Sequence, residues 1–259
     1  VERTVPVRLD LPEGSIETEI TLPAAQARLV VLAFQLLPLS GEVADMAAQA
    51  AGKAGFVISC KKGCGVCCRQ LVPLSPPEAA MIFEFIETMS EPRKSTIRKR
   101  FDRQLTKLKD SKFLTTLERL QDPEISDNEY HGITQAYFHL DVSCPFLEDE
   151  CCSIYPVRPS MCREYLVTSP SENCADPVTR PVRRVPVSIR LSEALARTWA
   201  SLSGELVQVI PLILAPTWVH ENPQVRGIRG DAVSLLRSVL SDLREAGQRS
   251  QPRTDAPQG

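Results

Sequence analysis

Three features of this sequence predict a mainly α fold with a small N-terminal β-hairpin and a cysteine-cluster domain packed between helices. Apolar residues recur at helical spacing over most of the chain. Residues 3–22 alternate instead with a period of two. Nine cysteines fall in two patches, 60–68 and 144–174, and nowhere else.

The alternating stretch runs Val5-Pro-Val7-Arg-Leu9-Asp-Leu11, then Pro-Glu-Gly-Ser, then Ile16-Glu-Thr-Glu-Ile20-Thr-Leu22. Two period-two runs about a glycine-containing turn predict a hairpin. Residues 24–52 are rich in Ala and Leu and predict helix, broken near Pro38 and Gly41. Ser75-Pro-Pro-Glu78 reads as a capping box with prolines in the first turn. It opens a helix over about 77–90, and a second follows over about 92–120 after Pro92. In the second, Ile97, Phe101, Leu105 and Leu108 form one apolar face. A strand is expected at Ala136 to Leu140 and another at Arg184 to Arg190. The segment 144–176 carries four prolines and reads as loop with short helical turns. Helices are expected at about 192–203, 205–214 and 229–246. The Pro- and Gln-containing end from Gln248 reads as a disordered tail. The resulting division is 1–56 (hairpin and helix), 57–176 (cysteine domain), 177–247 (helices packed on it) and 248–259 (tail).

Composition excludes several classes. The chain has 259 residues, 43% of them hydrophobic and 24% charged, with a net charge of −2, which is ordinary for a soluble domain and steers it toward no charged partner. The apolar runs Leu29–Leu39 and Leu206–Val219 are interrupted by Gln and Pro and fall short of the ~20 residues of a membrane span. The N-terminus shows no apolar signal core, so the expected location is cytoplasmic.

The cysteines carry the chemistry. Structural cysteines would be scattered through apolar segments, whereas these sit in polar, turn-rich stretches. Disulfides fit poorly, since the count is odd and no export signal is present. The first patch is Cys60-Lys-Lys-Gly-Cys64-Gly-Val-Cys67-Cys68-Arg69. Cys64-x-x-Cys67 is the knuckle spacing that lets two thiolates grip one metal. Gly63 and Gly65 permit the tight turn. Cys67 and Cys68 are adjacent, and on an extended backbone they would diverge, so either one is not a ligand or the site holds more than one metal ion. The second patch supplies Cys144, Cys151, Cys152, Cys162 and Cys174. The expected ligands are Cys60, Cys64, Cys67 and Cys68 with Cys144, Cys152 and Cys162, and Cys174 in a lesser place. His131, His139 and His220 have no ligand spacing. A thiolate-only set suits Zn²⁺ or an iron–sulfur cluster rather than Mg²⁺ or Ca²⁺. Arg69, Arg158 and Arg163 flank the cysteines and are expected to offset the charge of such a centre; the competing reading pairs them with surface acids such as Glu148 or Glu164.

These residues resemble the YkgJ-type cysteine-cluster family, described as a zinc- or iron-chelating domain. The matching positions are Cys60, Cys64, Cys67, Cys68 and Arg69, then Cys144, Pro145 and Leu147, then Cys152, Ile154, Tyr155, Arg158, Pro159, Cys162 and Arg163. The resemblance covers about residues 57–176. The family is related to flagellin lysine N-methylases, which share the motif and are linked to an iron–sulfur cluster. This implies iron–sulfur as a candidate and carries no methyltransferase activity across, because no glycine-rich nucleotide loop is found. Cys151 is additional to the pattern.

The expected function is therefore a cysteine-ligated metal-binding protein, with iron–sulfur favoured over zinc. One alternative is an iron–sulfur-dependent protein-modifying or redox enzyme component acting on a protein partner or substrate. The other is a zinc-stabilised protein or nucleic-acid interaction module. Residues 91–112 carry nine Lys/Arg against three acids, yet lack interleaved aromatics, so they read as a solvated helix face rather than a nucleic-acid grip. No Cys-His pair sits in a nucleophile motif, and the βαβ context of a redox C-x-x-C is missing.

Overall fold

The computed structural model describes the backbone of residues 2–249 and the side chains of residues 2–245. The N-terminal alternation folds as expected. Strands β1 (Glu2–Leu11) and β2 (Gly14–Pro23) pair antiparallel in register from Glu2↔Pro23 to Leu11↔Gly14. Val7, Leu9, Ile16, Ile20 and Leu22 share the buried face while their neighbours face water. A short β3 (Gln26–Arg28) leads into α1 (Leu29–Gln35) and α2 (Leu37–Lys53). The break falls at Leu36, with Pro38 in the first turn of α2, where its missing N–H costs nothing.

Leu29–Lys53 is long and apolar enough, by length and composition alone, to cross a membrane. In this fold 56% of its most apolar window is buried, against the hairpin and the helices that follow.

After the first cysteine patch, β4 (Pro73–Leu74) precedes α3 (Pro76–Thr88). This helix is the axis of the fold. Every residue from Pro76 to Ile82 is buried, and α1, α8 (Leu191–Ser203) and α9 (Ala215–Glu221) pack round it. The long second helix expected over 92–120 is divided. Helix α4 (Arg93–Asp110) ends where Lys112 takes φ 56°, and a short α5 (Leu114–Glu118) follows. The strand expected at 136–140 is instead the end of α6 (Asp127–Phe138). Ser126 caps it by accepting from the Glu129 amide, and Ile133 and Tyr137, four apart, bury one face.

The second patch holds a minimal hairpin, β5 (Leu147–Glu148) and β6 (Cys151–Cys152), and a one-turn α7 (Ser160–Glu164). The strand expected at 184–190 reduces to one bridge, Val167↔Arg184. The helix expected at 205–214 is also absent. Residues 205–209 form no regular element, and β7 (Ile210–Pro211) and a 3-10 turn follow, because Pro211 denies an amide donor to a continuous helix. Strand β8 (Arg229–Asp231) precedes α10 (Ala232–Arg249), which lies along α8. The expected tail therefore begins two residues inside α10, and the rest of it lies outside the described residues. The pairings β3–β8 and β4–β7 tie both ends of the chain to the middle, and one continuous apolar core runs through all of them.

Candidate metal centre

The first cysteine patch is a loop closed by a 3-10 turn over Val66–Arg69. Its two glycines have different reasons. Gly63 takes φ 88°, which a side chain disfavours. Gly65 has an ordinary φ but no room, since a Cβ there would lie 2.5 Å from the Glu150 carbonyl oxygen and 2.8 Å from its carbon. The loop and the β5–β6 hairpin thus meet backbone to backbone.

The hairpin turn is built for this approach. Asp149 and Glu150 both take positive φ (47° and 58°), the pattern of a two-residue type I′ turn. Arg69 clamps the turn by bonding both Glu150 carboxylate oxygens, at 2.9 and 2.5 Å. On the other side Glu148 accepts from Arg93, at 2.5 Å, and from Arg100 of α4. Part of the basic face of α4 therefore holds the cysteine hairpin rather than facing solvent. A 2.7 Å hydrogen bond from the Cys144 amide to the Cys68 carbonyl joins the two patches directly.

Helix α7, which carries Cys162, is fixed by two buried acids. Glu78 of α3 accepts at Oε1 from the Ser160 amide and hydroxyl, at 3.0 and 2.6 Å, and at Oε2 from the amide and hydroxyl of Ser75, at 3.1 and 2.8 Å. Glu164 accepts at Oε1 from the Ser40 hydroxyl and the Leu191 amide, at 2.9 and 3.2 Å. Burial pushes its carboxyl up to about 7. Glu78 as a capping residue was legible in the sequence, but its reach to Ser160, 82 residues away, was not.

These elements bring eight cysteines together. All nine are free thiols. Cys60, Cys64, Cys67, Cys162 and Cys174 line one cavity of about 310 Å³. Cys67 is the common neighbour. It interacts with Cys68, its neighbour in the turn, and acts electrostatically on Cys60, Cys144, Cys152, Cys162 and Cys174. Cys67 and Cys68 sit in the 3-10 turn rather than on an extended backbone, and of the two only Cys67 lines the cavity. Cys151 stands apart: it is exposed, with its sulfur 4.0 Å from the Gly63 carbonyl oxygen. Among the described residues, no three His, Cys, Asp or Glu side chains are already drawn into the geometry of a single-ion site.

Arg158 and Arg163 line the same cavity, whereas Arg69 is turned to Glu150. Arg158 lies over the Tyr155 ring at 4.1 Å, and its buried Nε has no hydrogen-bond partner. Arg163 donates to the carbonyls of Arg158 (3.0 Å) and Pro156. The Val167 amide points at the Cys60 sulfur at 3.3 Å. Burial pushes the thiols of Cys60, Cys144, Cys152 and Cys162 above their ordinary range, and that of Cys174 up to about 11. For Cys67 the interaction with Cys68 is the larger cause, with burial second.

The donor set fits a thiophilic metal. Thiols predominate, an unpartnered buried guanidinium nitrogen awaits an acceptor, and a backbone amide already faces a sulfur, as around thiolate-bound metals. Comparison with known families agrees. Residues 59–179 match the family model CxxCxxCC, described as a "putative zinc- or iron-chelating domain". This span, a little under half of the chain, is similar to that cysteine-cluster family, and the match supports a cysteine-ligated metal-binding domain here. No curated protein and no solved structure matches the chain.

Proposed function

We propose that the cavity holds an iron–sulfur cluster, with ligands drawn from Cys60, Cys64, Cys67, Cys68, Cys144, Cys152 and Cys162, and Cys174 on its wall. The observation that carries this reading is the cavity itself. Five cysteines from two distant segments surround about 310 Å³ of space. One zinc ion draws its four sulfurs to about 2.3 Å from a single point, so a space of this size suits a polynuclear centre better. No histidine contributes to the lining. Arg158 and Arg163 supply positive charge and hydrogen bonds to an anionic thiolate-ligated centre, and such contacts set the potential of a cluster. A bound cluster supplies one-electron chemistry. The chain's own residues hold it, neutralise it and tie its two ligand segments together, so the metal also contributes folding energy.

Free thiols in this number call for a reducing compartment, and a cytoplasmic location belongs to the proposal. A protein partner or substrate belongs to it as well, and nucleic acid does not. Of the nine basic residues in 91–112, Arg93, Lys94, Arg98, Arg100 and Lys107 are already paired with Glu148, Glu87 or Asp141. The test is metal, sulfide and visible absorbance on protein purified without oxygen. Iron with sulfide supports the proposal, and zinc alone replaces it with a structural site.

A further inference from the structure

The mouth of the cysteine cavity carries more positive charge than the centre inside it needs. Its lining holds Lys61, Lys62, Arg158 and Arg163 against a single acid, Asp45. A zinc ion or a cluster held by four thiolates carries about −2, which Arg158 and Arg163 offset. Two further arginines are brought to the same rim by the backbone. Residues 166–168 lie between two other segments. On one side the Ser59 amide donates to the Val167 carbonyl at 2.9 Å, and the Val167 amide faces the Cys60 sulfur at 3.3 Å. On the other side the Thr168 amide donates to the Arg183 carbonyl at 2.9 Å, and the Val185 amide to the Leu166 carbonyl at 2.8 Å. Arg183 and Arg184 therefore stand beside the wall that holds Cys60.

Aromatic rings order these cations. Arg183 lies over Phe56 at 5.6 Å and Arg184 over Tyr165 at 4.9 Å. Lys62 lies over Tyr155 at 6.0 Å, and Arg158 rests on the same ring. A ring contact orients a cation without neutralising it. Lys62, Arg183 and Arg184 are exposed, and among the described residues none of the three pairs with an acid. Beside them Phe56 and Val57 are 44% and 79% exposed. The rim thus offers three ordered, unpaired cations and an exposed apolar pair, on a chain whose net charge is −2.

We propose that this rim docks a protein partner that presents an acidic patch with apolar side chains within it. Protein interfaces join apolar contacts to a polar rim, and opposite charge steers the encounter. Nucleic acid fits less well. Single strands are held by bases stacked on free rings, whereas each of these three rings already has a cation on it, and a phosphate backbone offers nothing to Phe56 and Val57. Such docking rests on the reading of the cavity as a metal centre served by a protein partner, and it holds for either metal.

The test uses the full chain purified without oxygen. Iron, zinc and sulfide are measured in every sample, so that failure of the metal reading is seen separately. The probe is a fluorescent peptide of Glu with interspersed Leu, read by anisotropy at physiological salt. Beside it run the same peptide with Gln for Glu and a single-stranded oligonucleotide of equal charge. The acidic peptide is expected to bind and the Gln peptide is not. Lys62→Glu combined with Arg183→Glu and Arg184→Glu should weaken binding about tenfold or more. Lys99→Glu with Arg103→Glu and Lys109→Glu makes an equal change of charge at exposed positions of α4, and should leave binding within about twofold. If the triple rim variant fails to fold, Arg183→Gln with Arg184→Gln gives the same comparison against Lys99→Gln with Arg103→Gln. Equal losses in the rim and α4 variants would overturn the proposal, as would no binding of the acidic peptide or tighter binding of the oligonucleotide at the rim.

Discussion

Glu78 and Ser160 are joined twice, through hydrogen bonds of 3.0 Å from the Ser160 amide and 2.6 Å from its hydroxyl to a single carboxylate oxygen. The link crosses from the central helix of the core to the one-turn helix that carries Cys162. Glu78 is fully buried, so each of its four bonds is made out of reach of water. Leaving a buried donor unmet costs about 1–3 kcal/mol. Ser160→Ala, which removes one donor and leaves the amide bond, is expected near the bottom of that range. Glu78→Gln turns one acceptor into a donor facing Ser160 or Ser75, and is expected to reach or exceed the top. Chemical denaturation measures both, and Glu78→Gln should also lower metal per chain. Equal stability of Glu78→Gln and wild type would show that the carboxylate does not hold α7.

The two glycines of the first patch separate conformational from steric demand. Gly63→Ala is strained by its positive φ alone, and its Cβ would meet only the Cys151 sulfur at 3.7 Å. A cost of about 1 kcal/mol follows. Gly65→Ala cannot be accommodated without moving the Glu150 backbone, and a cost of about 1–3 kcal/mol with loss of metal is expected. Thermal melts of the two variants check the order. A Gly63 effect larger than the Gly65 effect would contradict the backbone-to-backbone packing.

The hairpin clamp predicts a pH dependence. The hydrogen bond from Arg93, and then the charge of Arg100, hold the Glu148 carboxyl below the ordinary carboxylate value of 4.5. A depressed folded-state value means stability that is fully present above 4.5 and is lost as pH falls through the folded value. Glu148 is partly exposed, so its two-arginine network is worth about 1 kcal/mol. Glu148→Gln should therefore destabilise the protein at neutral pH, and the gap should close in acid. A gap that is constant from neutral pH to acid would show that the pairs contribute nothing.

The sequence shows why some of this was legible and some was not. The hairpin, the first two helices, α3, α8 and α10 follow from local periodicity and capping, although the helices expected from 24 and 229 begin later, after the strands Gln26–Arg28 and Arg229–Asp231, and Gly41 lies inside α2 rather than at a break. The errors fall where local signals compete with distant ones. Tyr137 and Phe138 look like strand residues, but Ser126, eleven or more positions earlier, starts a helix through them. Leu206 to Leu214 is apolar enough for a helix, yet Leu74 and Ile210 pair as strands across the core. The clustering of cysteines was visible as a pattern. The supports that bring them together were not, because Glu78–Ser160, Arg69–Glu150 and Arg100–Glu148 join residues 48 to 82 positions apart. The exposed place of Cys151 follows from the type I′ turn, and neither Asp149 nor Glu150 advertises that turn as Asn-Gly would.

A single metal centre gathered about Cys67 leaves out Cys151, which is exposed at the hairpin turn. The most direct measurement is iron, zinc and acid-labile sulfide per chain, on oxygen-free preparations of the wild type, Cys67→Ser and Cys151→Ser. Iron with matching sulfide is expected in the wild type, loss of both in Cys67→Ser, and full content in Cys151→Ser. Wild-type content surviving in Cys67→Ser, or lost in Cys151→Ser, would contradict that arrangement.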